Sequence, residues 1–168
     1  DAMFVLASDE PGATAAPTTA ISRLRAMLAQ PGPDPALQLD VDLRPEGKQG
    51  PIVRSLESYR AYYARWSSTW EAQALLRAAP GAGDAGLTAS LLAAIDGVRY
   101  PVDGLTQAQV HEIRRLKARM EAERAPRGGD PARNTKLGPG GLSDVEWVVQ
   151  LLQLQQGHSV PGLRTPST

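Results

Sequence analysis

The chain has 168 residues, with 18 Lys+Arg set against 18 Asp+Glu, no cysteine, and 42% hydrophobic residues. That length suits one ordinary domain or two small ones, and the balanced charge gives no general electrostatic case for nucleic acid or an anionic membrane. The lack of cysteine excludes a disulfide framework or thiolate metal site and fits a reducing cytoplasm, and no apolar run approaches the roughly 20 residues of a membrane span.

The opening residues Asp1-Ala2-Met3-Phe4-Val5-Leu6 carry no initiator Met, no basic lead-in and no full apolar region. They read as a strand over Ala2–Leu6 entered partway, not as a signal peptide. With the unpunctuated end at Thr168, they suggest a piece of a larger protein. Asp9 to Pro17 is turn-rich. Thr18 and Thr19 are N-cap candidates for a helix through Gln30, with Ile21, Leu24 and Leu28 as its apolar stripe, and Pro31-Gly32-Pro33 ends it. Residues 37–44 read LQLDVDLR, in which Leu37, Leu39, Val41 and Leu43 alternate with Gln38, Asp40, Asp42 and Arg44. That alternation predicts a second strand with one apolar face. Strand, helix, strand suggests a small α/β unit.

Beyond Pro51 the pattern turns helical. Ser55 is placed to cap a helix carrying Leu56, Tyr59, Tyr62, Tyr63 and Trp66. A further helix is predicted over Thr69–Ala79, with Trp70, Ala74 and Leu75 on its buried side. Leu87, Leu91, Leu92, Ile95 and Val98 mark the next. Thr106 and Gln109 form a capping box before a charged helix whose apolar face is Val110, Ile113, Leu116 and Met120. Residues 125–141 are loop by composition. Ser143 and Glu146 read as a capping box for the last helix, with Leu142 and Trp147 as its hydrophobic staple.

On the predicted strand, Asp40 and Asp42 share a face, with Arg44 in line. Two adjacent carboxylates repel unless a cation lies between them. A hard divalent ion such as Mg²⁺ takes one or two carboxylates plus substrate phosphates. Asp1, at the head of the other strand, could join them. The plainer alternative is a solvated face paired with Arg44 or Lys48. His111 and His158 have no partner at ligand spacing. Gly138-Pro139-Gly140-Gly141 lacks the Walker and Rossmann patterns and reads as a turn. Asp144 and Glu146 are accounted for by helix capping and the macrodipole. The run Glu112, Arg114, Arg115, Lys117, Arg119 reads as a solvated helix face.

Four stretches in order resemble the glutamine synthetase adenylyltransferase/deadenylylase family: DVDLRPEGKQGP at 40–51, YYARWSSTWEAQALLRA at 62–78, EIRRLKARME at 112–121 and KLGPGGLSDVEWVVQLLQL at 136–154. The RYPVDGL and PRGGDP stretches are similar to the C-terminal, adenylylating half of the actinobacterial enzymes. The resemblance implies an α+β, mainly helical chain. Residues 1–51 would be the rear of a polymerase-β-like nucleotidyltransferase sheet, truncated at its start, and 52–168 a helical bundle of the PII-uridylyltransferase/adenylyltransferase type. It implies transfer of AMP from ATP to a tyrosine of glutamine synthetase, with Mg²⁺, in the cytoplasm. Asp1 corresponds to the second aspartate of the family's nucleotide motif and Asp40 to its third acid. Asp42 falls where many relatives carry Arg, so it is the less secure ligand. Arg44 and Lys48 are the phosphate-contact candidates. The competing expectation is an inactive helical module over 52–168 that binds glutamine synthetase or a PII regulatory protein. No nucleic-acid or membrane partner is expected.

Overall fold

The structure, a computed structural model, describes residues 1–124 and 133–167. The PRGGDP stretch and residues 125–132 of the expected loop lie outside the described residues. The described chain is mainly helical with one two-stranded parallel sheet. In order it runs β1 (Phe4–Leu6), α1 (Ala15–Leu28), β2 (Val53–Ser55), α2 (Leu56–Tyr63), α3 (Thr69–Leu75), α4 (Ala85–Arg99), α5 (Gln107–Arg124) and α6 (Leu142–Gln156). No helix among the described residues is long and apolar enough to cross a membrane. Two compact units are present, one of Asp1–Ser67 with Pro80–Ile95 and one of Ser68–Ala79 with Asp96–Thr168.

In the first unit β1 and β2 pair in register, Phe4 with Val53, Val5 with Arg54 and Leu6 with Ser55. Val41, Val53, Tyr59, Tyr63, Leu91 and Ile95 are its buried apolar residues. Ser55 caps α2 as expected, its hydroxyl accepting from the Ser58 amide at 3.1 Å. Tyr59 and Tyr63, one helical turn apart, stack at 6.2 Å between ring centroids. Trp66 lies beyond the end of α2 and is 72% exposed, so it does not join their face.

The strand expected over Leu37–Arg44 does not form; the partner of β1 is Val53–Ser55 instead. Residues 35–41 have no regular structure, and their backbone bonds to other segments are isolated ones, Leu37 N–H to Leu28 O at 3.0 Å and Ala2 N–H to Asp40 O at 2.8 Å. Two local forces turn the chain away. The Asp40 carboxylate captures the Asp42 amide at 2.7 Å, a donor that a ladder would need. Pro45 offers no amide at all. Residues 42–46 are turn, and a short 3-10 segment follows at Gly47–Gln49.

The second unit is built on Ala72, Leu76, Tyr100, Ile113 and Leu154, with Val98, Leu105, Trp147 and Leu151 packed against them. α3 is shorter than expected, and its buried residues include Ala72, Gln73 and Leu75, while Trp70 is exposed. The Thr106–Gln109 box caps α5: Thr106 N–H reaches Gln109 Oε1 at 2.9 Å and Gln109 N–H reaches Thr106 Oγ1 at 3.3 Å. At α6 the expected box is absent. The N-cap lies two residues earlier than expected, at Gly141. The free amides of Gly141, Leu142 and Ser143 are satisfied by the carbonyls of Gly138, Thr135 and Lys136, and Asp144 Oδ2 accepts from the Gly140 amide at 2.7 Å just ahead of the helix. Glu146 instead pairs with Arg77, and Leu142 is 71% exposed, so no staple forms.

Candidate functional site

The residues singled out from sequence all lie in the first unit, on the segment 40–50 and at the head of the chain. Asp40 is exposed. Its carbonyl accepts from Ala2 N–H and its carboxylate from Asp42 N–H. One residue therefore ties Ala2, just ahead of β1, to the turn. Asp42 is placed differently. Its Oδ1 is 3.4 Å from Arg44 Nη1 and its Oδ2 is 3.5 Å from Lys48 Nζ. The carboxylate is neutralised by two cations, which is the plain reading of the pair applied to Asp42 alone.

Arg44 is buried at 6% exposure. Its Nε donates to Gly50 O at 2.9 Å, Nη1 to Val41 O at 2.6 Å and Nη2 to Lys48 O at 3.3 Å. A planar fork with several fixed donors suits this better than an ammonium would. Arg44 thus closes the segment 41–50 into a clasp. Lys48, by contrast, is largely exposed, with its stem free of the core. Gly50 completes the closure. A Cβ there would overlap the Pro45 carbonyl, so only glycine fits.

A second buried arginine, Arg54 of β2, was not signalled by any sequence spacing. Its Nη2 lies 2.6 Å from Glu46 Oε2, its Nη1 donates to Ser58 Oγ at 3.1 Å, and its guanidinium lies 5.8 Å from the Tyr62 ring centroid. Beneath it Tyr59 donates to Phe4 O at 3.3 Å. Burial pushes the Tyr59 hydroxyl up to about 12, against the opposing pull of Arg54. At the other edge the Ser55 hydroxyl donates to the Asp9 carboxylate.

Among the described residues, no group of three or more His, Cys, Asp or Glu side chains is placed to hold a metal ion. Asp40 offers a carboxylate with one oxygen engaged in the turn, and Asp42 is paired with cations. These residues alone do not make a metal centre. His111 is exposed on α5, and His158 has a buried Nδ1 without a hydrogen-bond partner.

Comparison with known proteins bears on what this clasp belongs to. The family model described as glutamate-ammonia ligase adenylyltransferase matches residues 9–94, just over half of the chain. The chain belongs to that family. A second model, GlnD PII-uridylyltransferase, matches residues 111–165. Among curated relatives, a bifunctional glutamine synthetase adenylyltransferase/adenylyl-removing enzyme from Cutibacterium acnes is 60% identical over 168 residues, covering 100% of this chain and 17% of that protein. Proteins of the same name are 60% identical in Streptomyces avermitilis, over 95% of this chain and 16% of theirs, and 54% identical in Mycobacterium tuberculosis, over 100% and 17%. The chain therefore spans about a sixth of the length of the curated relatives it matches.

Proposed function

We propose that this chain is part of an enzyme that transfers AMP from ATP to a tyrosine hydroxyl of glutamine synthetase, and catalyses its phosphorolytic removal. The observation that carries this reading is the end-to-end likeness of the chain to bifunctional adenylyltransferase/adenylyl-removing enzymes. In this reading residues 1–51 are the rear of a polymerase-β-like nucleotidyltransferase domain and 52–168 its helical companion. The adenylylating half, and a cytoplasmic setting, belong to the same reading.

The chemistry assigned is attack of the tyrosine oxygen on the α-phosphorus, with cleavage of the bond to the β-phosphate oxygen and release of pyrophosphate. Asp40 takes the hydroxyl proton. Asp1, Asp40 and Asp42 are the carboxylates assigned to Mg²⁺, with Asp40 first among them. The ion, when bound, neutralises charge on the phosphate oxygens. It needs ligands besides these three, because the carboxylates present do not converge on one point. Lys48, exposed beside the clasp, is the better placed of the two phosphate-contact candidates. Arg44 acts from behind by holding the backbone.

The test is Mg²⁺-dependent transfer from ATP labelled on its α-phosphate to glutamine synthetase, in a polypeptide of the relatives' length that contains this chain. Asp40→Asn should lower transfer by about 10²-fold or more, the range of a lost general base. Undiminished transfer removes Asp40 from the site.

A second reading concerns the helical residues 52–168 as a module that binds glutamine synthetase or a PII signal protein. It is favoured by Leu142, Val145, Val148 and Leu152, which recur every three or four residues on α6 and are all exposed. If charged replacements at Val145 and Val148 leave binding to both proteins unchanged, this second reading fails.

A further inference from the structure

Arg54 and Glu46 meet at a contact that carries two local costs. Glu46 sits in the left-handed region at φ 64°, the only non-glycine residue to do so among the described residues. That conformation is unfavourable for a residue with a Cβ. Arg54 is buried at 9% exposure, yet its Nε has no hydrogen-bond partner. A buried N–H without an acceptor is unfavourable as well. Glycine at 46 would relieve the first and a thioether at 54 the second, but either change would remove the 2.6 Å ion pair. Strain concentrated on one contact is the pattern expected where position is held at the expense of stability.

What the contact holds follows from its partners. Arg54 lies on β2, paired with Val5 of β1. Its guanidinium reaches α2 at Ser58 and the apex of the clasp at Glu46. The clasp begins at Asp40, which is itself bonded to Ala2. Arg44 closes the clasp internally, Asp40 ties its near end to Ala2, and Arg54 fastens its far end, at Glu46, to β2. Without the Arg54 contact, the segment keeps its own turn and its tie at Ala2, but its far end around Glu46 is released from β2.

We propose that Arg54 is a positioning residue. Through Glu46 it sets the place of the clasp, and so of Asp40 and Lys48, against the strand pair. This rests on the adenylyltransferase reading above.

The experiment uses the polypeptide of the relatives' length, with Glu46→Gln, Arg54→Lys, Arg54→Met and the double variant Glu46→Gln/Arg54→Met. Hydrogen exchange by mass spectrometry follows the peptide containing Gly47, Gln49 and Gly50, whose amides close the turn, and separately the peptide of α2. Kinetics follow AMP transfer. The expected result is exchange about tenfold faster in the clasp, with α2 unchanged in Glu46→Gln and less accelerated than the clasp in the Arg54 variants, which also lose the Ser58 contact. With it, kcat should fall about tenfold or more while KM for ATP stays within about threefold, the signature of an interaction needed in the transition state. Arg54→Lys should recover part of kcat, and the double variant should be no worse than Arg54→Met alone. Unchanged exchange in the clasp, or equal acceleration in clasp and α2, overturns the proposal, the latter because it shows a general stability role. Faster clasp exchange with unchanged kcat also overturns it. Asp40→Asn separates the two failures: if that variant is fully active too, the catalytic reading has failed, and if it is inactive, only the role of Arg54 has.

Discussion

Replacing Arg44 by Met tests whether the clasp is held by a guanidinium fork or merely by the turn residues around it. Met keeps most of the apolar stem and removes the head. Three backbone carbonyls, those of Val41, Lys48 and Gly50, lose a charged donor. Hydrogen bonds to charged groups contribute about 1.5–3 kcal/mol each, but the effects of neighbouring bonds do not add. The Val41 carbonyl retains the Arg44 amide at 3.4 Å, and Lys48 is near solvent. Relief from burying a cation offsets part of the rest. The net loss expected is about 3 kcal/mol, which with a urea slope of about 2 kcal/mol/M moves the midpoint down by about 1.5 M. Urea unfolding of the chain, followed by tryptophan fluorescence and far-UV circular dichroism, measures this. Arg44→Lys should lose nearly as much, because an ammonium cannot reach carbonyls 41, 48 and 50 in one plane. A midpoint shift below about 0.3 M for Met would show that the clasp does not depend on the fork. Full recovery by Lys would show that charge, and not geometry, is what matters.

Gly50→Ala should cost about 3 kcal/mol, the upper range for overpacking, because its Cβ would meet the immobile Pro45 carbonyl. Gly32→Ala, where nothing lies within 4 Å of the added carbon, should be near neutral in the same melt. In the second unit Gln73 Nε2 donates to Gln150 Oε1 at 2.7 Å, with both side chains buried. Gln150→Leu should cost about 1–3 kcal/mol by orphaning the Gln73 amide, Gln73→Leu less because Gln150 Nε2 keeps Glu146 Oε1 at 3.5 Å, and the double Leu variant should cost clearly less than the sum. Raising the Tyr59 value from 10.0 to about 12 favours the neutral phenol in the folded state. Its contribution is therefore fully present below pH 10 and is lost as pH rises towards about 12, by about 2–3 kcal/mol in all. Tyr59→Phe should remove that alkaline limb, and an unchanged limb would assign it to another group.

What could be read from the residues themselves was the helical periodicity and one of the caps at each of α2 and α5. Ser55 and the Thr106–Gln109 box act between groups three residues apart, so the signal is local. The strand at Leu37–Arg44 failed for the same local reason. Alternation was present, but Asp40 and Pro45 decide where the backbone donors go, and the alternating pattern counts only apolar side chains. Val53–Ser55 is too short to show a period of two at all. The box at Ser143 failed because Glu146 found a partner in Arg77, sixty-nine residues away. Arg54 and Glu46 escaped notice because eight residues separate them, and neither a helix nor a strand rule links such positions. Asp40 and Asp42 looked equivalent by spacing. Only the turn separated the exposed carboxylate from the paired one.

The likeness to known families over the helices has a physical counterpart in polar contacts. Thr69 Oγ1 donates to Glu112 at 2.7 Å, Gln73 to Gln150 at 2.7 Å, Arg77 pairs with Glu146, and Lys117 with Asp144. Each bond joins one recognisable stretch, 62–78, 112–121 or 136–154, to another. Apolar helix faces tolerate small rotations with little loss, because burial has no direction. Hydrogen-bonded pairs do not, since a shift of one residue leaves both groups unpaired. The polar pairs therefore fix the rotation of α6 about its axis against α3 and α5. With Glu146, Gln150 and Leu154 turned inward, Leu142, Val145, Val148 and Leu152 are forced outward. The exposed apolar row is thus a consequence of the same contacts that carry the family resemblance, and a change that breaks the Gln73–Gln150 bond should alter both the packing of α6 and the surface it presents.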